Sequence, residues 1–183
     1  MAAAEEHRKA VDECAAAILR IDRASWTEAA RPGGWSRAEI AEHLAIAYDP
    51  PLSELSGGPG FRVRLPWWKR RYLRWKVLPL ILRGGFPARA PAPREIRPSS
   101  ALSEPEPAAR RLREQAERFL GRLAASCEAG DVRLTHAYFG KLSARELTTL
   151  LTSHVRHHRR QLVADEKSGE AGLAQRVPER PGG

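Results

Sequence analysis

Apolar residues recur at three- and four-residue spacing in four separate stretches, the mark of helices with one buried face. Over 3–23 the stripe is Val11, Cys14, Ala15 and Ile18, with Asp22 next in register and charged residues on the other side. Arg31-Pro32-Gly33-Gly34 interrupts the pattern, and Ser36-Arg37-Ala38-Glu39 reopens it as a capping box, a hydroxyl and a carboxylate each taking the other residue's amide. That second helix carries Ile40, Leu44, Ala47 and Tyr48 inward and is expected to stop at Asp49-Pro50-Pro51. A second box, Ser103-Glu104-Pro105-Glu106, opens a third helix with Leu112, Ala116, Phe119, Leu120 and Leu123 on one side, ending before Gly130. A fourth helix follows Ser143-Ala144-Arg145-Glu146, its stripe being Leu147, Leu150, Leu151, His154, His158, Gln161 and Leu162.

Between the second and third helices lies a different kind of sequence. Gly57-Gly58-Pro59-Gly60 forms a joint, and LPWWKRRYLRWKVLPLILRGG reads as a short helix opened near Pro66, kinked or ended near Pro79 and closed by Gly84-Gly85. Residues 86–98 hold too many prolines for a helix and are expected to be extended. No stretch shows a strand alternation. The pattern therefore predicts an all-α four-helix bundle over 1–164, with a long crossover insertion at 57–98. The Glu-, Gly-, Pro- and Arg-rich residues 165–183 are expected to form a disordered tail.

Composition agrees with one globular domain: 183 residues, 42% hydrophobic and 29% charged. Charge sharpens the division of the chain. Of the net +9, residues 61–98 contribute +10 through eleven Lys/Arg against Glu95 alone, so the remainder is nearly neutral at −1. Two cysteines, Cys14 and Cys127, cannot build a disulfide framework and are expected to be small fillers at helix interfaces. Glu5, Glu6 and Asp12 break any signal-peptide pattern, and no apolar run approaches the ~18 residues of a membrane span. The expected class is cytoplasmic.

Three of the six histidines are placed for chemistry. His154 and His158, four apart, project from the face that Leu147 and Leu151 mark as buried, and an i, i+4 imidazole pair chelates a transition metal well. The alternative is a solvated His/Arg surface, since His157-His158-Arg159-Arg160 is basic. His43 lies beside the Ile40/Leu44 stripe, where a lone histidine ordinarily serves as a hydrogen-bonded core residue. Three inward histidines from two helices are nonetheless how bundles build metal sites, and three neutral imidazoles leave coordination positions open to substrate.

The elements Gly34-Trp35-Ser36, Glu39-Ile40 and His43-Leu44 are followed downstream by His136-Ala137-Tyr138-Phe139-Gly140-Lys141-Leu142-Ser143 and by His154-Val155-Arg156-His157-His158-Arg159-Arg160-Gln161-Leu162. Together they resemble the DinB/YfiT-like superfamily, in particular a branch of unassigned function, over about residues 5–163. The resemblance implies a DinB-like four-helix bundle holding a divalent metal, usually zinc or nickel, through His43, His154 and His158, with His157 adjacent. It implies a small-molecule enzyme, a thiol-dependent S-transferase with a low-molecular-weight thiol cosubstrate or a hydrolase. An iron-dependent relative uses a His-x-x-x-His-x-Glu pattern, which Arg160 breaks; Ala137 stands where the family often has proline.

A tris-imidazole ion can depress the pKa of a bound thiol or of bound water. Glu42, Gln161 and His157 are candidates to orient the ligands, and His136 and Tyr138 are candidate proton donors or substrate contacts, with a purely structural role as the alternative. In the insertion, Trp68, Tyr72, Trp75 and Pro79 share one helical side among cations. That aromatic side is expected to pack on the bundle or at a homodimer seam; other readings are peripheral contact of 61–83 with an anionic membrane, or single-stranded nucleic acid, for which no recognised motif is present. A non-catalytic binding module, membrane- or partner-associated through 61–83, is the alternative to an enzyme.

Overall fold

Two of the capping boxes start helices where the sequence puts them. In a computed structural model describing residues 2–62, 65–86, 92–99 and 104–163, Ser36 N–H donates to Glu39 Oε2 at 2.7 Å and Glu39 N–H to Ser36 Oγ at 3.2 Å. Ser143 and Glu146 repeat the arrangement at 2.8 and 3.3 Å. The helices are α1 (Ala2–Ile18), α2 (Arg23–Trp26), α3 (Arg37–Ile46), α4 (Asp49–Leu55), α5 (Trp67–Lys76), α6 (Leu78–Leu82), α7 (Pro105–Ala129) and α8 (Ala144–Leu162). A 3-10 turn spans Arg94–Ile96, and β1 (Arg133–His136) and β2 (Gly140–Ser143) precede α8.

The bundle is α1 and α3 against α7 and α8, with α4 prolonging the second arm along α7. Every apolar residue of the four stripes is buried, with Cys14, Ile18, Leu112 and Phe119 fully inside. Alanines at 10, 15, 41, 109 and 116 are buried too, which lets the helix axes approach closely. The chain is an all-α bundle with a small hairpin added.

Several expectations are corrected. α1 ends at Ile18, and Asp22, exposed rather than part of the stripe, caps α2 by accepting from Ser25 N–H at 2.9 Å. Pro50-Pro51 interrupts the second helix but opens α4 at once, because a proline in the first turn forfeits no helical hydrogen bond. α7 starts at Pro105 with Glu104 as N-cap and no side-chain cap; Ser103 lies outside the described residues. The break in the insertion falls at Val77, and Pro79 sits in the first turn of α6. Gly84 and Gly85 do close α6: their amides donate to Ile81 and Leu80 carbonyls at 2.9 and 3.0 Å, with Gly84 at φ +92°. Cys127 is exposed rather than interfacial. The tail proposed for 165–183 lies outside the described residues.

The antiparallel hairpin was not expected. It pairs Arg133 with Ser143 and His136 with Gly140, and turns Leu134 and Leu142 into the core. Gly140, at φ +72°, takes the left-handed conformation that closes the three-residue turn. Glu54 of α4 pins the hairpin, accepting from Thr135 N–H (2.7 Å), Thr135 Oγ1 (2.9 Å) and Lys141 Nζ (2.6 Å).

His7, unremarked in the sequence, is fully buried between α1, α8 and Tyr48. Its Nδ1 lies 3.1 Å from Thr152 Oγ1 and its Nε2 2.9 Å from Tyr48 Oη. Thr152 spends its own proton on Thr148 O at 2.9 Å, so it accepts from His7 Nδ1–H, and Tyr48 donates to Nε2. The chain of donors runs one way only and holds His7 neutral; burial lowers its pKa to about 4. Between pH 6.5 and 4 the unfolded chain therefore binds the proton that the folded one refuses. Stability measured by urea unfolding of metal-free protein is expected to be complete above pH 6.5. It should fall towards pH 4 by up to about 1.4 kcal/mol per pH unit for this residue, and His7→Gln should reduce that slope by one proton's worth.

Candidate metal centre

Helices α3 and α8 cross so that His43 meets His154 and His158. The one-turn spacing on α8 puts two imidazoles on one face, and the capping boxes fix both helices' starts and hence their rotation. All three are buried, and one ligand nitrogen from each lies within 4.8 Å of the others. His43 Nε2 stands 2.9 Å from His154 Nε2. The rings are arranged edge to face, with centroids 4.7 to 4.9 Å apart.

Two of the three tautomers are fixed by neighbours. His43 Nδ1–H donates to the Ile96 carbonyl at 2.6 Å, leaving Nε2 with its lone pair towards the cluster. His158 Nδ1–H donates to Gln161 Oε1 at 2.8 Å, with the same result. The Gln161 amide in turn donates to His157 Nε2 at 3.0 Å, so His157 holds the orienting residue and is not itself in the cluster. Of the candidate orienters, Gln161 bonds a ligand imidazole directly, and His157 reaches the cluster only through Gln161. Glu42 does not touch the site: it accepts from Ser99 N–H and Oγ at 3.0 and 2.9 Å, three residues beyond Ile96. The Ile96 carbonyl was missed because a backbone acceptor on an irregular segment leaves no mark in side-chain spacing.

Burial keeps these imidazoles neutral. It lowers His43 to about 4 and His158 to about 3, the latter helped by His43, and drives His154 well below its ordinary value. Neutral imidazoles with aimed lone pairs are the donor set that zinc and nickel take. The residues fit a divalent metal, and neither cysteine competes: Cys14 is in the core with its thiol pushed up to about 12 by burial, and Cys127 is on the surface.

The cluster opens on a cavity of about 670 Å³. Trp35 lies tilted against His43 with ring centroids 4.8 Å apart, and Phe86 lies 5.5 Å from His154 and 4.8 Å from His157. The hairpin brings His136 and Tyr138 to the same cavity, and the inner sides of α5 and α6 supply Leu73, Val77 and Ile81. None of the described lining residues is Asp or Glu, and Arg31 alone is a formal cation. Its side chain lies over Gly34, where a Cβ would come within 2.7 Å of Arg31 Cγ.

His136 stacks on Phe139 at 4.8 Å, and its Nδ1 accepts the Tyr138 amide at 3.2 Å. Burial lowers its pKa to about 4, so the ring is neutral with its proton on Nε2. Burial also raises the Tyr138 hydroxyl, which stays protonated.

The family model described as the DinB superfamily matches residues 3–162. Neither the curated proteins nor the solved structures contain a match.

The tautomer locks generate a test. Gln161→Leu removes the acceptor from His158 and is expected to weaken zinc binding about 10- to 100-fold, read by competition with a chromophoric chelator. His154→Ala and His158→Ala should reduce metal per chain to background, whereas Glu42→Gln should leave it near wild type.

Proposed function

The chain belongs to the DinB superfamily, and on that premise we propose that it is a divalent-metal-dependent enzyme acting on a small, largely apolar molecule, a thiol-dependent S-transferase. The observation that carries the proposal is the convergence of His43, His154 and His158 at the cavity. These three residues would hold zinc or nickel, which when bound supplies Lewis acidity and draws the pKa of a ligand thiol from about 8.5 towards neutrality.

The protein's share is positioning and exclusion. Ile96 and Gln161 keep the imidazoles of His43 and His158 in the ligating tautomer, and Trp35 and Phe86 brace the rings. The apolar walls keep water from the reacting centre and give an electrophile of matching character its binding energy. His136 offers Nε2–H and Tyr138 its hydroxyl, two donors for an oxygen or leaving group that gains negative charge. Arg31 provides a cation for an anionic portion of the thiol.

A thiol nucleophile is favoured over water by the make-up of the lining. No described lining residue is a carboxylate that takes a proton, and a thiol, the stronger acid before it meets a metal, needs less help than water to become a nucleophile. The second reading, a hydrolase, draws on His136 and Tyr138, whose paired donors suit the oxygen of a carbonyl under attack.

The test is a screen of zinc- and nickel-loaded protein with low-molecular-weight thiols against alkyl and aryl electrophiles, following thiol consumption. Turnover lost in His158→Ala is expected. His136→Ala should lower kcat by about 10²-fold, and Arg31→Met should raise KM for an anionic thiol at unchanged metal content. Ester hydrolysis without thiol consumption would move the assignment to the hydrolase; neither activity in fully loaded protein would make the chain a binding module.

A further inference from the structure

The insertion turns the opposite way from the expectation that its aromatic side packs inward. α5 is held by its cationic side. Arg74 donates to the Lys141 and Phe139 carbonyls of the hairpin and pairs with Glu146 at 3.3 Å, the same carboxylate that caps α8. Arg70 lies against Gly140, where a Cβ would sit 3.1 Å from its Cδ. α6 follows, with Leu78 and Ile81 buried and the Ile81 carbonyl accepting from Ser153 Oγ at 2.8 Å. These bonds set the rotation of α5 and leave its other side outward.

That outward side is unusual. Trp67, Trp68, Tyr72, Trp75 and Leu80 are 55 to 73% exposed, and among the described residues the only other exposed large hydrophobic is Leu19. At about 100° per residue, Trp68, Tyr72 and Trp75 fall within one arc of about 60°. Lys69, Arg71 and Lys76 are exposed around this arc, and α5 and α6 contain no acid. Lys69 and Lys76 place their ammonium groups 5.2 and 4.5 Å from the Trp68 and Trp75 ring centroids.

We propose that α5 and the start of α6 form a peripheral docking face for an anionic lipid surface. Indole and phenol rings favour the headgroup layer, where an apolar body meets a polar edge, and flanking cations reach back to lipid phosphates. Leu80 on α6 adds an exposed aliphatic group next along the chain. A second copy of this chain fits poorly, since two-fold pairing would set Lys69, Arg71 and Lys76 against their own images. Single-stranded nucleic acid is gripped in a groove lined by rings, and this face is the convex side of one helix. No helix among the described residues is long and apolar enough to cross a membrane, so the contact is interfacial. The inference stands apart from the metal chemistry, although Leu73, Val77 and Ile81 of these helices wall the cavity.

The experiment uses the full chain with vesicles of phosphatidylcholine alone and of phosphatidylcholine mixed with phosphatidylglycerol, read by co-sedimentation and tryptophan emission. Binding to the mixed vesicles at low salt, with a blue shift and loss at about 0.5 M salt, is expected. Neutralising Lys69, Arg71 and Lys76 to Gln should weaken that binding about a hundredfold, close to fivefold per cation. Trp67→Ser, Trp68→Ser and Trp75→Ser combined should abolish the shift while helical circular dichroism and zinc content stay at wild-type values. His158→Ala should bind vesicles like wild type, separating this result from the metal reading. No partition into anionic vesicles at low salt overturns the proposal. So does binding that the aromatic variant retains, self-association through these residues in sedimentation velocity, or displacement of vesicles by single-stranded oligonucleotide.

Discussion

The hydrogen bond from His43 Nδ1–H to the Ile96 carbonyl joins two parts of the molecule that have little else in common. On one side is a bundle built from periodic stripes; on the other is an irregular, basic crossing segment. One 2.6 Å contact gives His43 its tautomer and gives the crossing segment a reason to lie where it does. Glu42, one residue earlier on α3, secures Ser99 just beyond, so a single helical turn both supplies an imidazole and clamps the strap that orients it. The net charge of +9 belongs mostly to this strap and not to the bundle.

What could be read from the sequence was what local periodicity encodes. Ser36/Glu39 and Ser143/Glu146 fix helix starts within three residues of chain, and the three/four spacing identifies the buried face without reference to any other element. His43, His154 and His158 followed because each sits on such a face. The hairpin was hidden because four residues per strand hold only two inward positions, Leu134 and Leu142, too few to establish alternation. Pro50-Pro51 signals a stop and a start equally, because the same residues serve either to end one helix or to begin the next. His7 gave no signal, since an imidazole on an apolar stripe looks alike whether it has partners or not; Tyr48 and Thr152 reach it from 41 and 145 residues away.

The orientation of α5 marks another limit of periodic reasoning. The sequence shows two dissimilar sides, one rich in rings and one in cations, and hydrophobicity alone assigns the rings to the interior. The choice instead falls to Glu146 and the carbonyls at the hairpin turn, acceptors that draw Arg74 inward and carry the rings outward with it. Glu146 thus has two duties, starting one helix correctly and choosing which side of another is presented to the surroundings.

The one-way run of donors from Tyr48 through His7 to Thr152 and Thr148 has a bearing on inheritance. His7 and Thr152 each accept from one neighbour and donate to the next, so an exchange at one position strands a buried polar atom at another. Phenylalanine at 48 becomes tolerable only once residue 7 no longer needs a donor, and an aliphatic residue at 7 leaves the Tyr48 hydroxyl without its acceptor. Positions 7, 48 and 152 are therefore bound to drift together through descent, with loss of the imidazole at 7 opening the way for the others.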